Sequence, residues 1–244
     1  VTTNGDVTQT TAQYKLGSNS AAFDGNGDYL SLADSDDWNF GSGDFTIDFW
    51  VYLNSLSPAP FLIDRRTAGN SGYAVYVNTN GTVEFYTTFG FDVATTNSIT
   101  TGSWNHIAIS RASGVLKMFI NGQQGYSGSS STDLTVSGAQ LNIGTSYILQ
   151  NWMNGYIDEL RISKGIARWT SNFTPPSSPY GKVATVTSQK KFGTASGEFK
   201  GSGEYLSLAD SDDWNFGSGD FTIDFWVRFN SVTNMNFFSQ YSPD

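Results

Sequence analysis

An all-β fold of two antiparallel sheets packed face to face is predicted for this chain by three observations. Apolar and polar residues alternate over short runs, Gly-, Asn- and Asp-rich turns separate those runs at close spacing, and no segment keeps a helical hydrophobic period through three turns. With 244 residues, 38% hydrophobic and 15% aromatic, the chain can bury a real core, so global disorder is not expected. Apolar residues never run long enough for a spanning helix, which argues against membrane insertion. A net charge of −9 disfavours nucleic acid and anionic membrane surfaces as partners, because both need basic patches. With no cysteine there is neither a disulfide nor a thiolate metal site, and a bacterial or phage source is expected over an extracellular animal one.

The elements follow in order. Residues 1–22 are rich in Thr, Asn and Ser, with one short strand expected near Val7. Asp34 to Phe40 can form a helical turn capped by Asp34 or Ser35. From Asp44 to Asn54 the alternation is clean: Phe45, Ile47, Phe49 and Val51 face one side, and Thr46, Asp48, Trp50 and Tyr52 the other. Further strands are expected at Phe61–Ile63, Tyr73–Val77 and Val83–Thr87, the last two joined at Asn80-Gly81, a pair suited to a type I′ turn. Trp104–Arg111 and Val115–Asn121 form a hairpin about Ser113-Gly114. Leu134–Val136, Leu141–Ile143 and Tyr156–Ile162 complete about eleven strands. The prolines of Asn172–Pro179 cannot join a central strand and mark a linker.

An internal repeat sets the domain organisation. Tyr29–Val51 recurs without change as Tyr205–Val227, 176 positions later. Such a spacing is domain-sized and far above that of a solenoid. One β-sandwich over residues 1–180 is therefore expected, followed over 181–244 by the N-terminal part of a second, incomplete copy, which is either a piece of a longer tandem array or must complete its core against something else.

Five segments, in order over about residues 14–175, together resemble the laminin-G-like, concanavalin A-like jelly roll. They are Phe23-Asp-Gly-Asn-Gly-Asp-Tyr-Leu30, Phe45-Thr-Ile-Asp-Phe-Trp-Val51, Trp104-Asn-His-Ile-Ala-Ile109, Val115-Leu-Lys-Met-Phe-Ile-Asn-Gly122 and Gly155-Tyr-Ile-Asp-Glu-Leu-Arg-Ile162. The form is similar to modules that recur in marine phage and bacterial surface proteins. Such modules usually open with an apolar strand, and Val1–Thr11 shows none. The resemblance also implies a sheet-edge calcium ion, for which the matching positions are Asp24 and Asp158; the second copy carries Lys200 in place of Asp24.

This fold hosts lectins, glycosidases and structural modules alike, so function must be read from side chains. Laminarinase-type relatives carry Glu-x-Asp-x-x-Glu on one strand, and none of the four glutamates here (Glu84, Glu159, Glu198, Glu204) belongs to that pattern. The single histidine, His106, reads as a packed strand residue. No enzyme is expected. A sugar site needs loop or strand-face aromatics beside polar groups. The candidates are Tyr147, Gln150, Asn151 and Trp152 in one loop, and Phe89 and Phe91 in another, with Trp50 and Tyr52 as further options beside Asp48. The resulting expectation is a non-catalytic carbohydrate-binding or adhesion module at a virion or extracellular surface. Its partner would be a glycan or a surface protein, with a homo-oligomer or array neighbour as a further partner. A structural capsid or tail module is the alternative, and a glycoside hydrolase the third reading.

Overall fold

Strand alternation and glycine-bearing turns build the first unit. The computed structural model describes residues 1–68, 72–87, 92–180, 184–186 and 196–199, and positions 206, 218, 220, 222, 223 and 225–229. It divides into two units, Val1–Pro179 and Tyr180–Asp244. In chain order the first unit runs β1 (Thr2–Asn4), β2 (Thr8–Thr10), β3 (Ser20–Asp24), β4 (Tyr29–Leu32), a 3-10 turn (Asp36–Trp38), β5 (Phe45–Leu53), β6 (Phe61–Arg66) and β7 (Gly72–Val77). It continues with β8 (Thr82–Thr87), β9 (Asp92–Ser98), β10 (Trp104–Ala112), β11 (Val115–Ile120), β12 (Gln123–Ser129), β13 (Leu141–Ile143) and β14 (Asn154–Lys164). One seven-stranded antiparallel sheet has the order β1-β4-β13-β6-β7-β8-β9, and the other β12-β11-β10-β5-β14-β3-β2. We call them sheets A and B. No helix among the described residues is long and apolar enough to cross a membrane.

The expected inner face of β5 holds. Phe45, Ile47, Phe49 and Val51 are fully buried in one cluster with Tyr73, Val75, Val77, Val83 and Phe85 of sheet A. Burial of each such side chain contributes about 1.5–3 kcal/mol. Both predicted hairpins form, but the first lacks the type I′ turn expected of Asn80-Gly81, since only Gly81 has positive φ (+87), whereas Ser113 and Gly114 both do (48 and 75). The β11–β12 hairpin at Asn121-Gly122 escaped prediction, although the pair has φ 52 and 75. A Cβ on Gly122 would meet the Phe173 carbonyl at 1.9 Å, so the turn also seats the chain that follows β14. The 3-10 turn is capped by Ser35, whose side chain accepts from the Asp37 N–H.

Two corrections concern strands. Leu134–Val136 lies in no ladder; both end residues are buried, but their backbone serves other groups. The Leu134 N–H donates to the Gly41 carbonyl at 2.9 Å, and the Val136 carbonyl accepts from Arg65 at 3.1 Å. The short strand expected near Val7 is β2, whereas β1, β9 and β12 were not anticipated, because edge strands of Thr, Ser, Asn, Gln and Asp carry no apolar alternation. The two polar strands β1 and β2 close one edge of sheet A and one edge of sheet B, where an apolar opening strand was missing.

Two fully buried arginines fix the repeated Asp34–Gly43 stretch. Arg65 donates to Asn39 Oδ1 and Asp34 Oδ1, each at 2.7 Å. Arg111 donates to the carbonyls of Gly43 (2.7 Å), Gly41 (2.6 Å) and Thr132 (2.7 Å), with its guanidinium 5.0 Å from the Phe45 ring. The outer face of sheet B is largely covered. Trp169 and Phe173 close on His106 at 5.6 and 5.7 Å, and Arg161 grips the buried Asp48 through two bonds of 3.0 Å.

In the second unit β15 (Ala184–Val186) pairs antiparallel with β16 (Ser196–Glu198). The partners Ala184↔Glu198, Thr185↔Gly197 and Val186↔Ser196 repeat those of β2 and β3, Thr8↔Ala22, Gln9↔Ala21 and Thr10↔Ser20, at the 176-residue offset of the sequence repeat. Ile223, Phe225 and Val227, the counterparts of Ile47, Phe49 and Val51, are exposed and in no ladder; Phe221 lies outside the described residues.

Replacement of Arg111 by Met leaves three loop carbonyls without their donor. It is expected to cost about 3 kcal/mol or more in urea unfolding, with Arg111→Lys recovering only part, because an ammonium lacks the guanidinium fork. An unchanged midpoint would refute this role.

Candidate functional site

Sheet A carries the site on its outer face. The bulge between Phe61 and Ile63 turns Phe61 outward, and alternation then sends Asp64 and Arg66 outward while Arg65 enters the core. Ladder partners bring Asp64, Ala74, Tyr86 and Asp92 into one row, and Phe61, Tyr76, Glu84 and Ala94 into the next. The face is thus built of aromatic rings and carboxylates on four adjacent strands.

Its anchor is an ion pair. Arg66 Nε donates to Asp64 Oδ1 at 2.9 Å and Arg66 Nη2 to Asp64 Oδ2 at 2.5 Å, and the Tyr147 N–H adds a bond to Oδ2 at 2.9 Å. Three rings surround the guanidinium, Phe61 and Tyr147 at 5.0 Å and Tyr86 at 5.1 Å. Phe61 stacks on Tyr76 with centroids 4.9 Å apart. Burial pushes the Asp64 carboxyl up, against the lowering effect of Arg66; Arg66 itself is raised, because Asp64 outweighs the opposing effect of its burial.

Beside this cage lies a carboxyl pair. Tyr76 Oη donates to Glu84 Oε1, Asn78 Nδ2 donates to Glu84 Oε2 at 2.6 Å, and Glu84 and Asp92 hydrogen-bond to each other. Partial burial, then the hydrogen bond and like charge of Glu84, push Asp92 up to about 7. Burial of Glu84 is outweighed by its bonds from Asp92, Tyr76 and Asn78, which hold it below the ordinary value. The Tyr76 hydroxyl is raised by burial and by Glu84, so it stays a neutral donor. The pair therefore shares one proton below pH 7.

Of the predicted sugar-site residues, Tyr147 joins this face. Gln150 and Asn151 contribute through backbone. The Gln150 carbonyl accepts from Ser146 N–H at 3.1 Å, Thr145 Oγ1 at 3.1 Å and Ser146 Oγ at 2.9 Å, and the Asn151 carbonyl accepts from Phe61 N–H at 3.1 Å. Trp152 is half-buried with its indole nitrogen enclosed. Phe89 and Phe91 belong to the β8–β9 connection and lie outside the described residues. Trp50 is covered, with Lys15 Nζ 4.3 Å above its ring, whereas Tyr52 stands half-exposed on sheet B between Trp104 (5.8 Å) and Tyr156 (5.7 Å).

The proposed calcium ligands do not meet. Asn154 is the ladder partner of Asp24, and Asp158 lies four residues further along β14, about 13 Å away at strand rise. Asp158 Oδ2 accepts the N–H groups of Lys15 and Leu16, both at 2.8 Å, so it anchors backbone. Among the described residues no three His, Cys, Asp or Glu side chains group to hold a metal. Phe61, Arg66, Tyr76, Glu84, Tyr86 and Asp92 escaped the sequence reading. The signal was present for three of them: Tyr76, Glu84 and Tyr86 occupy the outward positions of strands whose inward positions were recognised.

A laminin G model of the concanavalin A-like lectin/glucanases superfamily matches residues 24–168. The chain belongs to this superfamily. Among curated proteins no sequence match is found. Domain 4 of AbnA, a GH43 extracellular arabinanase from Geobacillus stearothermophilus, solved with arabinotriose, is similar at 22% identity and a TM-score of 0.53, over 67% of this chain and 77% of that one. The botulinum neurotoxin serotype D binding domain is similar at 17% identity and a TM-score of 0.51, over 68% of this chain but only 44% of that one. At these identities the likeness is one of fold, the concanavalin A-like sandwich.

A pH effect follows from Asp92. Its value rises from 3.8 to about 7, so it takes up a proton on folding, and stability falls as pH climbs through that window. Asp92→Asn keeps a donor to Glu84 without that charge. It is expected to stabilise the fold at pH 8 by up to about 1 kcal/mol, a figure reduced for solvent screening at this exposed side chain, and by nothing measurable near pH 4. Denaturant titrations at the two pH values check it; an equal effect at both would contradict the shared proton.

Proposed function

We propose that the first unit is a non-catalytic carbohydrate-binding module, serving adhesion or recognition at a virion or extracellular surface, and that the outer face of sheet A holds the glycan. The observation that carries this reading is the juxtaposition of Phe61, Tyr76, Tyr86 and Tyr147 with Glu84, Asp92 and Asn78. A sugar offers an apolar ring face to an aromatic side chain and hydroxyls to carboxylates, so the face supplies both halves of the recognition. Arabinotriose bound to the similar arabinanase domain is consistent with a glycan ligand.

Hydrolysis is disfavoured by the same geometry. A retaining glycosidase places its two carboxyl groups about 5–5.5 Å apart and an inverting one further, to leave room for the scissile bond, whereas Glu84 and Asp92 are hydrogen-bonded to each other and Glu84 accepts from Tyr76 and Asn78. Asp64 is committed to Arg66.

One observation favours a protein partner as the second reading. At the tip of the Tyr147 loop, Ile148 and Leu149 are 55% and 39% exposed, and two adjacent apolar tips suit a protein contact such as assembly on a capsid or tail.

Binding of the 244-residue chain to a glycan array, followed by calorimetry on the best hit, tests the first reading. Tyr86→Ala is expected to weaken the hit at least about tenfold, the loss of one stacking ring. Affinity indifferent to Tyr86, or the absence of any hit from plant, bacterial and algal glycans together with stable oligomers, would favour the protein partner.

A further inference from the structure

Resting on the glycan reading above, we propose that this face selects neutral glycans and turns away acidic ones, those bearing uronate, sialate or sulfate groups. The basis is how its charges are spent. Recognition of an acidic sugar needs a cation with free N–H donors, most often a guanidinium presenting its fork. Among the described residues the cation on this face is Arg66, which has its Nε and Nη2 on Asp64 and lies about 5 Å from the rings of Phe61, Tyr86 and Tyr147. The stretches 69–71 and 88–91, which follow β6 and β8 in sequence, contain no charged residue.

What remains open carries negative charge. Asp92 is exposed and Glu84 half-exposed, bonded to each other, to Tyr76 and to Asn78. The groups facing Asp92 are Glu84 and Tyr86 of β8 and Tyr76 of β7, while Arg66 of β6 has its charge offset by Asp64. With the Asp64–Arg66 pair neutral, the face bears one net negative charge while the acid pair holds its shared proton. It bears two after the proton leaves near pH 7. A ligand carboxylate or sulfate within about 6 Å of that pair meets like charge at partly shielded range, worth at least about tenfold in affinity. Ligand hydroxyls gain by contrast, because two carboxylates present several acceptor lone pairs to a vicinal diol and the shared proton adds one donor.

The test compares matched oligosaccharides of equal length by calorimetry at pH 6 and pH 8. Arabinan, xylan and β-glucan fragments serve as neutral probes, and galacturonan, glucuronan and sulfated galactan fragments as acidic ones. Neutral ligands are expected to bind at least about tenfold more tightly than acidic ones, with the ratio widening from pH 6 to pH 8. In the Glu84→Gln/Asp92→Asn double variant the ratio should narrow severalfold and lose its pH dependence. Asp92→Asn alone, an exposed isosteric change, gives the same readout if the double variant does not fold. Acidic fragments that bind as tightly as neutral ones, with binding lost in Tyr86→Ala, would overturn charge selection and leave the glycan face standing. Binding of neither class would overturn both.

Discussion

The Asp64–Arg66 pair is the interaction on which the exposed face of sheet A depends. A carboxylate with no solvent exposure is costly unless its charge is met, and Arg66 meets it through both oxygens. Once held there, the guanidinium gives three rings a common surface to pack against, and the second bond to Oδ2 fixes the start of the Tyr147 loop. Strand alternation makes this possible. One residue earlier, Arg65 points inward to clamp Asp34 and Asn39, so two consecutive arginines serve opposite layers.

Sheet B solves the same electrostatic problem differently and thereby leaves less surface free. Asp48 lies on its outer side and is buried, held by Arg161, with the Arg161 guanidinium 5.6 Å from the Trp169 ring. Trp169 and Phe173 stack at 4.2 Å over this region, seated by the Phe173 N–H bond to the Gly122 carbonyl at 3.0 Å. The chain after β14 therefore acts as a cover for one sheet. Aromatic and acidic groups on the other sheet have no such cover among the described residues, which is why the candidate site lies there.

How much of this was legible in the sequence depends on where the information resides. Phe45, Ile47, Phe49 and Val51 announced the core because alternation is local, and Asn80-Gly81 announced its turn because positive φ is a property of one or two residues. Trp50 and Tyr52 could not be separated in that way. They share a strand face, yet Lys15 and the prolines at 175 and 176 border a groove of about 400 Å³ over Trp50 while Tyr52 stays half-exposed. The cage around Arg66 was invisible for the same reason: Phe61, Tyr86 and Tyr147 come from three distant segments, and their meeting depends on ladder register. The pairing of Asp24 with Asp158 failed on register too, since each belongs to the family pattern but they stand at different heights on neighbouring strands.

The repeat separates local from distant determinants within one chain. β15 and β16 reproduce the register of β2 and β3, a pairing between segments close in sequence that closes a short loop at low entropic cost. The Phe45–Val51 sequence recurs unchanged as residues 221–227, but its strand form in the first unit rests on remote partners. Phe45 pairs with Arg111 on one side and with Lys164 on the other, and Asp48 pairs with Arg161. A central strand of this kind is specified by what lies on both sides of it, whereas an edge pairing between near neighbours is specified by the pair alone.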